Sequence, residues 1–114
     1  MTSNAWQTML WAAAAYNLFI GGGGLVARGA PRDARLVSLF VAAFGIVYAV
    51  AATDPMRFAP VLWAGVFGKL GVIALMAPAV AKGELPRAVG WVLAGDALFT
   101  VAFLWLLLGA LFAG

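Results

Sequence analysis

Four long apolar runs follow one another with only short polar connections between them, and this one pattern decides most of what the chain can become. They cover 5–27, 36–53, 58–81 and 88–112. A membrane-spanning helix needs about 20 predominantly apolar residues. At the helical rise the first run extends roughly 34 Å and the shortest, 36–53, roughly 27 Å, so the latter should stand nearly upright. Nothing alternates with a period of two, which excludes the strand pattern of a membrane barrel.

Composition rules out the alternatives. Hydrophobic residues make up 66% of the 114 and charged residues 10%, with a mean hydropathy of +1.05. A soluble domain averages about 45–50% and about 25%. So small a water-soluble fold could not hide this much apolar surface, and disordered chains are polar and charged. The solvent expected for this chain is a lipid bilayer. Met1-Thr2-Ser3-Asn4 carries no side-chain charge, unlike the basic start of a secretory signal, so the first run is expected to stay as a membrane helix.

The connections supply stop signals. Arg28-Gly29-Ala30-Pro31-Arg32-Asp33-Ala34-Arg35 and Lys82-Gly83-Glu84-Leu85-Pro86-Arg87 both place Gly after one helix and Pro before the next. Asp54-Pro55 reads as an N-cap followed by Pro at the first helical position, with room for a short interfacial turn. Loops this short make sequential helices antiparallel neighbours. The expected fold is all-α: an integral membrane up-down four-helix bundle, one transmembrane domain over 1–114. The echo of Val26-Ala27-Arg28-Gly29 in Val80-Ala81-Lys82-Gly83 reads as recurring turn chemistry or as a parallel repeat.

Orientation follows from the basic residues. Arg28, Arg32, Arg35, Lys82 and Arg87 fall on one side and Arg57 alone on the other. The two basic loops are therefore expected in the cytoplasm and both termini outside, in a cell membrane of the bacterial inner-membrane kind. Trp6 and Trp63 then lie near the outer interface and Trp91 near the inner one, whereas Trp11 and Trp105 lie deeper and call for a packing role. The net charge of +3 is explained by these loops, and no nucleic-acid partner is expected.

Polar groups inside a membrane are costly, about 2.5–3.5 kcal/mol for a charge at mid-depth, so those present are informative. Lys69 stands near the middle of the third run, too deep to snorkel out alone, and Asp96 lies about 12 Å into the fourth. On antiparallel neighbours the two meet near mid-depth, as an ion pair or as a proton-shared neutral pair. Asn17, Tyr48 and Thr100 complete an expected intramembrane polar cluster, with Asn17 and Thr100 as candidates for the pair's remaining hydrogen bonds. Such a cluster either fixes helix register or forms a site for a proton, an ion or a polar head group. Small residues flank it: Ala13, Asn17 and Gly21 share a stripe, as do Gly65 and Lys69.

Gly21-Gly22-Gly23-Gly24 lacks the Lys-Ser/Thr of a nucleotide loop and reads as tight packing or a flexible helix end. Pro78 is expected to kink the third helix. In the outer loop, Asp54 and Arg57 read as a capped turn with a local salt bridge. No His and no Cys exist to ligate zinc, haem or an iron–sulfur cluster, or to form a nucleophile–base pair. The acids Asp33, Asp54, Glu84 and Asp96 are scattered. No metal, cofactor or catalytic residue is expected.

The four-helix plan, with Tyr16-Asn17-Leu18 before a glycine run and Gly68-Lys69 in the third run, resembles small bacterial membrane proteins of the DoxX-like group. Length and helix count are also similar to small multidrug resistance transporters, but the membrane-embedded Glu of their first helix has no counterpart beyond Asn17. The functional expectation is a non-enzymatic binding or accessory protein, with a homo-oligomer or a larger membrane complex as partner. The alternative is a small proton- or ion-coupled transporter using Asp96 and Lys69.

Overall fold

The computed structural model describes residues 3–113 and the side chains of 4–109. Every regular element among them is helical, in two compact units divided after Phe58. The first unit holds α1 (Ser3–Val26), α2 (Arg32–Thr53) and the one-turn helix α3 (Pro55–Phe58). The second holds a 3-10 turn (Ala59–Val61), α4 (Leu62–Ala81) and α5 (Arg87–Ala113). Four stretches are long and apolar enough to cross a membrane: Asn4–Val26, Arg32–Thr53, Pro55–Ala81 and Arg87–Gly109. The expected placement of the two chain ends falls on residues outside those described.

The sequence boundaries need two adjustments. The third long helix, expected from 58, starts at Leu62 after the one-turn helix and the 3-10 turn. The second helix starts at Arg32 rather than at 36. Pro31 occupies its N-cap in extended conformation (φ −62°, ψ 157°), and the Arg35 N–H already donates to the Pro31 carbonyl at 3.0 Å. Asp33 in the first turn suits the positive end of the helix dipole. Polarity had marked these residues as loop, but charged side chains are readily carried in an exposed first helical turn.

The α1–α2 hairpin is packed backbone to backbone. A Cβ on Gly45 would lie 2.8 Å from Leu18 Cγ and 3.1 Å from the Ala14 carbonyl oxygen. One on Gly21 would meet the Ser38 carbonyl at 2.7 Å and the backbone of Ala42, and one on Gly24 would collide with the Ser38 side chain. These three glycines let the helices approach where any side chain would wedge them apart. The glycine run is therefore continuous helix through Val26, with its outer members, Gly21 and Gly24, in contact and Gly22 and Gly23 having nothing within 4 Å.

The two basic turns share a left-handed glycine, Gly29 (φ 75°) and Gly83 (φ 77°), and close differently. After α4, Gly83 N–H donates to Val80 O at 3.0 Å and Glu84 N–H to Ala79 O at 2.9 Å, the paired bonds of a Schellman cap. After α1 a side chain does the work: Arg35 donates through Nη1 to Leu25 O (3.0 Å), through Nη2 to Ala27 O (3.0 Å) and through Nε to Ala30 O (3.1 Å). The two echoing segments thus share a left-handed glycine and differ in how their turns close.

The expected packing role of Trp11 and Trp105 is corrected. Trp11 and Trp105 are 50% and 61% exposed, so neither serves as internal packing. Trp6 is buried, whereas Trp63 and Trp91 are exposed.

Candidate functional site

A lysine on the buried face of an apolar helix needs a partner, and Lys69 finds one. Its Nζ lies 2.7 Å from Asp96 Oδ1, and both residues are buried. It is the sole ion pair among the described residues. Helical spacing positions it. On α4, Leu62, Gly65, Val66 and Lys69 form the buried face. On α5, Leu93, Asp96, Thr100, Phe103 and Leu107 recur at intervals of three and four. Antiparallel pairing then sets the two charged residues at one level.

The surroundings hold the pair without adding a third charge. Lys69 Nζ also lies 5.8 Å from the centroid of the Phe99 ring, within cation–π range. Phe99 is in turn tilted against Phe103 at 6.3 Å. Thr100, expected to help satisfy the charges, donates its hydroxyl to the Asp96 backbone carbonyl one turn back at 2.7 Å. This back-bond pacifies a polar side chain on a buried helical face and leaves the carboxylate to the lysine.

Asn17 and Tyr48 belong to the first unit. The Asn17 side-chain amide donates to Val41 O at 3.0 Å, tying α1 to α2 between the close approaches of Gly45 and Gly21. Tyr48 is buried, with the Phe44 ring tilted against it at 6.2 Å. The residues expected as one cluster thus sit as Asn17 and Tyr48 in one unit and Lys69, Asp96 and Thr100 in the other.

At the Asp54 loop the capped turn is present. Arg57 N–H points to Asp54 Oδ1 at 3.4 Å, and Phe58 N–H donates to Asp54 O at 3.0 Å. The expected Asp54–Arg57 salt bridge is not found among the described residues; the Arg57 guanidinium lies over the Phe58 ring at 5.4 Å. In an exposed turn the ring face competes with a carboxylate already occupied by capping.

Sequence reasoning missed two polar side chains that hold backbone carbonyls. One is Arg35, read as a topological charge only. The other is Gln7, whose Nε2 donates to Ala52 O at 3.2 Å across the end of the first hairpin opposite its basic turn. A glutamine amide inside an apolar run was itself the available signal.

Among the described residues no buried side-chain nitrogen or oxygen lacks a hydrogen-bond partner. No family model, no curated protein and no solved structure matches the chain.

Proposed function

We propose that this chain is a multi-pass membrane protein that works by association within the bilayer, as a binding or accessory protein, and catalyses no reaction of its own. The observation that carries this reading is the satisfied state of the Lys69–Asp96 pair. Each charge has the other at 2.7 Å, and no buried side-chain polar atom among the described residues stands open to a ligand. A closed pair is well suited to setting the register of two helices. The outward surface is apolar at every depth, with Phe19, Phe67, Leu75 and Leu98 more than two-thirds exposed, as association within lipid requires. The orientation that fits the basic loops places both in the cytoplasm.

A second reading has its own observation: the only ion pair among the described residues lies inside candidate membrane spans, where proton relays are built. One pair of assays separates them. Reconstituted in vesicles with a pH-sensitive dye, the protein should dissipate an imposed pH gradient no faster than Asp96→Asn. Labelled and diluted in the bilayer, it should persist as oligomers or bind a partner in single-molecule imaging. Proton flux lost in Asp96→Asn would overturn the accessory reading in favour of transport.

A further inference from the structure

The first basic turn carries three arginines with unequal fates. Arg35 is spent on three carbonyls and fixes the turn. Arg28 and Arg32 are exposed, and neither guanidinium is in a hydrogen bond or ion pair among the described residues. Below Arg32 the stripe continues at intervals of four with Leu36 and Phe40, 51% and 58% exposed, and Val37 beside them is 55% exposed. Nothing from 32 to 44 on α2 is buried. The glycine contacts of α1 with Ser38 and Ala42 leave no room between the two helices at this level, so whatever covers the stripe lies on its outer side.

We propose that this face of α2 binds one anionic phospholipid, its phosphate held between Arg28 and Arg32 and an acyl chain laid along Leu36 and Phe40. The inference rests on the membrane reading above. Dimensions and charge both select this occupant. From Arg32 to Phe40 the helix rises roughly 12 Å, close to the depth of one leaflet's hydrocarbon, roughly 15 Å. The segment 28–35 holds three arginines against one acid, Asp33. A zwitterionic headgroup brings its own cation beside its phosphate and gains little from that excess, whereas a net negative one is attracted. The second turn, with Lys82 and Arg87 against Glu84, offers a weaker field.

The test is native mass spectrometry of the full chain with phosphatidylglycerol and phosphatidylcholine of identical acyl chains. The wild type should retain one phosphatidylglycerol in preference to phosphatidylcholine. The preference should fall roughly fivefold for each arginine removed in Arg28→Gln and Arg32→Gln. It should survive in Arg28→Lys/Arg32→Lys and in Lys82→Gln/Arg87→Gln, and weaken for the wild type as ammonium acetate is raised. Equal retention of the two lipids by the wild type would overturn the proposal, as would an undiminished preference in the Gln variants or equal loss in Lys82→Gln/Arg87→Gln. Should a Gln variant fail to fold, the salt response of the wild type decides. Flotation with pure phosphatidylcholine vesicles tests the membrane reading separately: a chain that does not float fails that reading, and one that floats without headgroup preference fails only this inference.

Discussion

Lys69 and Asp96 show how much one contact can weigh in a chain with so few charges. Each is tolerable where it stands because the other is 2.7 Å away. Removing one partner leaves the other as an uncompensated buried charge, at a cost of about 3–5 kcal/mol. Lys69→Met and Asp96→Leu should each lower thermal stability in detergent by that order, and the double variant should recover part of the loss. The double-mutant cycle is the measurement, and strictly additive losses would show that the pair is not coupled. A second residue-scale contrast separates neighbouring glycines. In Gly21→Ala the new methyl meets the backbone of Ser38 and Ala42 and should cost about 1–3 kcal/mol, as over-packing does. In Gly22→Ala it meets nothing within 4 Å, and the higher helix propensity of Ala makes the change neutral or favourable. Equal melting temperatures for the two variants would contradict the close approach of α1 and α2.

At the scale of elements, the turn after α1 depends on a side chain from the helix that follows it. The planar fork of Arg35 reaches Leu25, Ala27 and Ala30 at once, which a single ammonium cannot imitate. Arg35→Gln should therefore destabilise by about 1–3 kcal/mol and speed amide exchange across residues 26–31, and Arg35→Lys should restore little. Unchanged exchange in both variants would mean the three bonds contribute nothing in solution. The same turn shows what was legible in the sequence. Apolar run length, Gly after a helix and Pro before the next gave the four long helices, since these signals act locally. The Lys69–Asp96 meeting was also legible, because antiparallel neighbours fix depth and lone charges in lipid need partners. The division of labour among Arg28, Arg32 and Arg35 was not, because all three carry the same charge in the same loop and only helix phase decides which turns inwards. Nor was the use of Gly21, Gly24 and Gly45 for contact while Gly22 and Gly23 stay open: helix rotation is invisible when almost every residue around the helix is apolar.

For the molecule as a whole, four helices long and apolar enough to cross a membrane, joined by two basic turns, give a direct prediction of orientation under the proposed membrane reading. Translocating Arg28, Arg32, Arg35, Lys82 and Arg87 is harder than translocating Arg57 alone, so the turns following α1 and α4 should stay in the cytoplasm and the Asp54 turn should emerge outside. The chain contains no native cysteine, so single introduced thiols report without background. Arg28→Cys and Glu84→Cys place a thiol in each basic turn, and Met56→Cys places one in the outer turn; all three positions are exposed. In intact cells a membrane-impermeant maleimide should label Met56→Cys alone, and after permeabilisation it should label all three. Labelling of Arg28→Cys and Glu84→Cys alone in intact cells would reverse the orientation. Labelling of all three from one side would mean that α2 and α4 do not cross, because each joins a basic turn to the Asp54 turn. Moving charge tests the cause: Arg28→Gln/Arg32→Gln/Lys82→Gln/Arg87→Gln leaves Arg35 against Arg57, and a mixed population of both orientations should appear. A fully retained single orientation in that variant would show that something other than the basic turns sets it.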